Sequence, residues 1–134
     1  KEEDQIGKMI IPKIQLEKPL YNINSSKNNI EENVTILNGS DDPSQENSTI
    51  FIAAHSGTGE IAFFEELDQL QIKDEITILY DNIPYIFQVT SIWEEKKTGY
   101  IHINRETKNQ LILTTCSPSK KDYQLVINCI EKES

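Results

Sequence analysis

Leu111-Ile-Leu-Thr-Thr-Cys116-Ser-Pro118 is the stretch on which the reading of this chain turns. Three aliphatic residues followed by two β-branched threonines suit a strand on a pleated, half-buried surface. Ser117-Pro118 cannot continue a central strand, so the run stops at Cys116. A thiol is thereby held at the end of a stiff element, which suits a nucleophile that must be aimed. The same cysteine also reads as a small buried hydrophobe, the usual state of a free thiol.

Upstream, Thr49-Ile-Phe-Ile-Ala-Ala54 reads as a second buried strand, closed by His55 and then Ser56-Gly57-Thr58-Gly59. A lone histidine is most often structural. A cysteine and a histidine that both close apolar strands before irregular segments are different. Brought to one end of a sheet, they have the geometry for activating a nucleophile.

The remaining segments supply the scaffold. Lys8–Ile14 and Leu16–Tyr21 read as short strands broken by Pro12 and Pro19, and residues 22–33 as an Asn- and Ser-rich loop with one helical turn near Ile30–Asn33. Val34–Leu37 reads as a short strand and Asn38–Ser48 as a polar, acidic loop. Over Ile61–Leu70, the positions of Phe63, Phe64, Leu67 and Leu70 predict one apolar face of a helix. Glu75–Tyr80 and Tyr85–Trp93 read as strands of a hairpin turning at Asp81-Asn82. The polar stretch Lys96–Asn109 leads into the Cys116 strand, and Gln124–Ile130 follows it as its antiparallel partner. Six to eight strands with one helix and no repeat point to a closed, mostly antiparallel β-barrel.

Composition bounds the function. A chain of 134 residues reads as a single domain, residues 1–134, able to bury a core without staples. The net charge of −9 and pI near 4.7 argue against nucleic acid or an anionic membrane as the main partner. Mean hydropathy is −0.51, and no signal-peptide core or membrane-length apolar run occurs. The chain starts at Lys1 without methionine and reads as an excised extracellular domain. Four Asn-x-Ser/Thr matches (Asn24, Asn33, Asn38, Asn47) are what an Asn-rich chain produces by chance.

The two cysteines read as free thiols. If Gln124 pairs with Cys116, Cys129 lies roughly 17 Å further along the strand, and a disulfide needs Cα atoms within about 7 Å. Cys129 is then a structural residue. His102 and Glu106 have i,i+4 spacing, but they lack the further ligands that a zinc site requires. No phosphate-binding loop or Gly-x-Ser-x-Gly elbow is present.

Several motifs together carry a family resemblance. Ile112-Leu-Thr-Thr-Cys116 resembles the sortase signature Thr-Leu-x-Thr-Cys, with Ile112 at the first position. Ile52-Ala-Ala-His55 is similar to the segment bearing the sortase histidine. The run from Ile6 to Tyr21 resembles the opening Ile-Gly-x-x-x-Ile-Pro-Lys-Ile-x-Leu-x-x-Pro-Ile-Tyr of the family. Phe63, Phe64, Leu67, Leu70, Asp74 and Ile76 match its short helix and following strand. The matches run through nearly the whole chain in order. They are of class A/D type, with the class itself left open.

The resemblance implies an eight-stranded β-barrel with one or two short helices. It also implies a cysteine transpeptidase of the Gram-positive cell surface, held by a membrane anchor outside this chain. Cys116 would attack the Thr–Gly bond of a Leu-Pro-x-Thr-Gly-like sorting signal on a surface protein, and His55 would protonate the leaving amine. An amine of a peptidoglycan precursor or a pilin would take the acyl group. Ala54, Ser56, Thr114 and Lys121 would contact the substrate, Thr115 would support the substrate or the local backbone, and the stretch Lys96–Asn109 would form one wall of the groove. No cofactor is implied. Some class A sortases bind Ca²⁺, but Asp41, Asp42, Glu46, Glu94 and Glu95 read as a solvated acidic face.

One position departs from the family pattern. Sortases place an arginine on the last strand, and Tyr123-Gln124-Leu-Val-Ile127 puts Gln124 there. Arg105 precedes the cysteine strand, and Lys120 and Lys121 follow it. Two alternatives therefore stand beside the transpeptidase: a surface thiol protease with water as acceptor, and a silent barrel that binds sorting-signal peptides.

Overall fold

A computed structural model describes residues 5–30, 33–55, 63–98, 101–103, 108–117 and 119–132. Eight strands form one sheet: β1 (Gln5–Ile11), β2 (Leu16–Tyr21), β3 (Thr35–Ile36), β4 (Thr49–Ala53), β5 (Glu75–Tyr80), β6 (Ile83–Lys96), β7 (Gln110–Cys116) and β8 (Tyr123–Glu131). Their order is β2-β1-β5-β6-β8-β7-β4-β3. The two end strands approach each other, and the Asn33 side chain donates to the Pro19 carbonyl across the seam at 2.6 Å, giving a nearly closed barrel.

Alternation along the strands builds the interior. Met9 and Ile11, Ile50 and Ile52, Ile76 and Ile78, Leu111 and Leu113, and Leu125, Ile127 and Cys129 all join one buried cluster. The other face of β7 is buried too, because Gln110, Ile112 and Thr114 are as inaccessible as their neighbours. The sequence led us to expect a half-buried strand. A strand that pairs in parallel on one side and is covered on both faces reads instead as a continuous apolar run, which explains Leu111-Ile112-Leu113.

Local rules account for the connections. Asp81 and Asn82 both adopt left-handed backbone (φ 53° and 64°), the conformation of a two-residue primed turn, and join β5 to β6 as expected. Gly7 is required where β1 meets β5, since a Cβ there would lie 1.8 Å from the Leu79 carbonyl oxygen. β1 ends at Ile11 and not at Ile14, because Pro12 opens a 3-10 turn over Pro12–Ile14. Pro19 does not break β2, which is an edge strand where a missing N–H costs no ladder bond. β6 is longer than expected, and its register slips between Val89 and Ser91 at a bulge.

The expected helix over Ile61–Leu70 is corrected to turns followed by a 3-10 helix at Leu67–Gln69. Its i→i+3 bonds run from Leu67 to Phe64, Gln69 to Glu66 and Leu70 to Leu67. Phe64, Leu67 and Leu70 are the buried residues, and their spacing of three is the 3-10 repeat and not the α-helical one. Ile61 itself, and part of the turn expected near Ile30–Asn33, lie outside the described residues.

Candidate active site

The site is assembled by register. β4 and β7 run parallel, with Thr49 beside Gln110 and Ala53 beside Thr114. β4 ends at Ala53, and the same offset carried two residues past the ladder would bring His55 to the level of Cys116. Ile50, Ile52 and Ala54 turn into the core, as do Leu111 and Leu113, so alternation sends His55 and Cys116 to the opposite face of the wall. In β8, Gln124 is the direct partner of Cys116, and in β6 Glu95 is the partner of Gln124. Cys116, Gln124 and Glu95 therefore form one row across three neighbouring strands about 4.8 Å apart, and His55 follows the end of the fourth, β4.

Each of the four has a defined setting. Cys116 is exposed at the strand end, and the Lys97 ammonium donates to its sulfur at 2.9 Å. His55 is half-buried, and its carbonyl accepts from the Phe64 N–H at 2.9 Å. Gln124 shares the Cys116 face, and its Oε1 accepts from the Thr114 hydroxyl at 3.4 Å. Thr114 also donates to the Leu125 carbonyl at 3.0 Å. Glu95 accepts from Trp93 Nε1 at 2.7 Å and pairs with His102 Nδ1 at 3.2 Å. Burial raises the Glu95 pKa, but the hydrogen bonds from Trp93 and His102 outweigh it and leave the carboxyl below its ordinary value.

Two of the residues expected at the substrate, Thr115 and Ala54, are buried. The Thr115 side chain is buried and donates to the Ala54 carbonyl at 2.7 Å, and Ala54 is itself buried in the core. Both face away from the Cys116 row. They fasten the end of β7 to the end of β4 and so position the two residues that follow. Thr114 lies on the site face but is buried, with its hydroxyl directed to Gln124 and Leu125.

Past Cys116, the Glu94 carboxylate accepts from the hydroxyl of Ser117, which in turn accepts from the N–H groups of Ser119 and Lys120. Lys120 and Lys121 are exposed in this loop, and the Lys120 ammonium sits 5.0 Å from the Tyr123 ring centroid. Ser56, Gly57, Thr58, Gly59, Gly99, Arg105, Glu106 and Pro118 lie outside the described residues.

The acidic residues considered for Ca²⁺ do not converge. Asp41 and Asp42 sit near the start of β4, where they accept from the Thr49 N–H and the Tyr80 hydroxyl, while Glu94 and Glu95 sit at the Cys116 end. Among the described residues, no three His, Cys, Asp or Glu side chains group as a metal site. Cys129 is a free thiol in the core, and burial pushes its pKa up.

Sequence reasoning missed Lys97 and the Glu95–His102 pair. Alternation along β6 would have set Glu95 and Lys97 on one face. Their alignment with Cys116, however, depends on the bulge at Val89 and Ser91, which no residue type announces.

The comparisons with known proteins agree with this architecture. Among solved structures, sortase C1 of Streptococcus agalactiae superposes with a TM-score of 0.83 at 24% identity, covering 100% of this chain and 70% of its own. A lid mutant of sortase A from Corynebacterium diphtheriae gives 0.85 at 22% identity, covering 100% and 73%. Sortase C of Streptococcus pneumoniae gives 0.85 at 23%, covering 100% and 71%. No curated protein sequence matches significantly. The model of the sortase domain matches residues 9–131, nearly the entire chain, and with that the chain belongs to the sortase family of cysteine transpeptidases.

Proposed function

We propose that this protein cleaves a Leu-Pro-x-Thr-Gly-like sorting signal and transfers the acyl group to an amine. The observation that supports the reading is the parallel register of β4 and β7, whose ends lead into His55 and Cys116 respectively. Cys116 is the nucleophile, because a thiolate is the reactive form and a neighbouring imidazolium favours it. The sulfur pair forms a bond to the threonine carbonyl carbon, and the carbonyl π pair moves to oxygen. As the oxyanion collapses, the C–N bond breaks and the leaving amine takes the proton of His55. The acceptor amine then attacks the thioester and gives a proton to His55, and the thiolate leaves.

Gln124, the ladder partner of Cys116, offers its amide N–H groups to the developing oxyanion, with its Oε1 held by the Thr114 hydroxyl. Lys121 and residues 96–98, 101–103 and 108–109 border the bound peptide in this reading. Every group in this mechanism is a side chain, so no cofactor is required. The substrates are surface proteins bearing the signal, and the acceptor is a peptidoglycan precursor or a pilin amine. Pilin substrate specificity is a property of the pneumococcal sortase C named above. The working location is the outer face of the cell membrane, reached through an anchor beyond this chain. Among the described residues no helix is long and apolar enough to cross a membrane.

Incubation with Leu-Pro-x-Thr-Gly-type peptides, with and without an amine acceptor, tests the reading by mass spectrometry. An acyl adduct on Cys116 and an amide product are expected. Acid product alone means a hydrolase. The absence of any adduct supports the peptide-binding barrel, the reading that uncharged Gln124 favours.

A further inference from the structure

The row Cys116, Gln124 and Glu95 offers a thiol, an amide and a carboxylate, and His55 beyond the end of β4 offers an imidazole, so none of the four carries a permanent positive charge. If Cys116 attacks a carbonyl, negative charge must be carried there twice, first on sulfur and then on the carbonyl oxygen. Among the described residues, Lys97 brings an ammonium to that place. Its Nζ donates to Cys116 Sγ at 2.9 Å.

The position of Lys97 is built into the fold. It directly follows β6, and its backbone N–H donates to the Asp122 carbonyl at 2.9 Å, tying the exit of β6 to the turn before β8. Alternation from Glu95 sets it on the site face. β8 lies between β6 and β7, so the lysine arm spans the end of β8 to reach the sulfur. Glu95, the carboxylate of the same face, has its oxygens engaged by Trp93 and His102. Of the two lysines in the loop after Cys116, Lys120 lies over the Tyr123 ring.

We propose that Lys97 is a catalytic residue, the cation that holds the negative charge of Cys116 before attack and of the oxyanion after it. When the sulfur pair enters the new S–C bond, the charge passes to the carbonyl oxygen, and the ammonium follows it by rotation of a flexible side chain. Lys97 keeps its protons throughout, and the proton of the leaving amine comes from His55. This inference rests on Cys116 being the nucleophile, and it adds a third group to the sorting-signal mechanism.

Alkylation of Cys116 by neutral iodoacetamide and by anionic iodoacetate tests it without any peptide. In each case the sulfur pair forms the S–C bond and iodide leaves. A neighbouring cation favours the anionic reagent. In Lys97→Met the iodoacetate-to-iodoacetamide rate ratio should fall about five- to tenfold, as expected for loss of a charge-assisted contact near solvent. Lys97→Arg should restore it, and Lys132→Met, at the other end of the barrel, should leave it at the parent value. The gap between parent and Lys97→Met should also narrow as salt is raised. On a sorting peptide, Lys97→Met should lower kcat with KM little changed.

An unchanged ratio in Lys97→Met, or no recovery in Lys97→Arg, overturns the proposal. A parent protein that shows the Lys97-dependent ratio yet processes no peptide sinks the sorting reaction and leaves the pairing of Lys97 with the sulfur standing.

Discussion

The hydroxyl of Thr115 donates to the carbonyl of Ala54 at 2.7 Å, and both groups are buried. Each residue immediately precedes a member of the proposed pair, Cys116 in one case and His55 in the other. The bond therefore sets the relative height of two strand ends that no turn connects.

Thr115→Val keeps the shape of the side chain but leaves the Ala54 carbonyl buried without its donor. We expect a loss of about 1–3 kcal/mol in urea unfolding, the usual cost of an unsatisfied buried group. Acylation of a sorting peptide should slow more than iodoacetamide alkylation, because alkylation uses His55 only to favour the thiolate, whereas acylation also needs it to protonate the leaving amine. Equal slowing of the two would show that the bond serves stability alone.

Gln124 is the ladder partner of Cys116 and lies on its face. An amide offers two donors without charge, whereas a guanidinium offers a planar charged fork. Gln124→Arg should raise the acylation rate, by about tenfold for a charge-assisted bond of roughly twice the strength. Gln124→Ala should lower it. Single-turnover measurements with a chromogenic sorting peptide report both, and parent rates in the two variants would remove Gln124 from the mechanism.

Cys116 is exposed, while Cys129 is enclosed in the core with its thiol pushed up by burial. Thiol titration of the native protein should consume one equivalent and titration in denaturant two. Cys116→Ser should consume none until unfolded. A slow second equivalent under native conditions would mean that the core around Cys129 opens.

At the far end of the barrel, hydrogen bonds from the side chain and backbone of Ser44, and one from Tyr80, hold the Asp42 pKa below its ordinary value against the opposing effect of burial. A depressed carboxyl contributes stability above its unfolded pKa and loses it as pH falls through the folded one. Ser44→Ala should thus be less stable than the parent at pH 7, by under about 1 kcal/mol for so open a site. The gap should close below about pH 3, where the carboxyl is protonated in both states. Urea unfolding at the two pH values checks this, and a gap constant with pH would assign the loss to something other than Asp42.

Legibility followed locality. Asp81-Asn82 announced its turn because few residue pairs accept two left-handed positions in a row. The pairing of Cys116 with Gln124 was readable because only a short loop separates the two strands. The segment ending at Leu70 misled, since an apolar repeat of three overlaps the helical pattern over so few residues. Lys97 was hidden because its alignment depends on a bulge. The offset between His55 and Cys116 could only be posed as a question, because no turn fixes the register of a parallel pair.

That parallel pair also governs when the site comes into being. The other ladders described are antiparallel, and β5–β6 and β7–β8 can form as local hairpins. β4 must find β7 across 61 positions, with β5 and β6 lying between them in the chain. Such a contact raises contact order and pays its closure entropy before any gain is returned. A folding intermediate with both hairpins made has Cys116 beside Gln124 and still lacks His55. The thiol and the imidazole thus meet only when a contact 61 positions apart closes, as non-local as the fold's β1–β5 pairing and unlike the hairpin that already holds Cys116 beside Gln124.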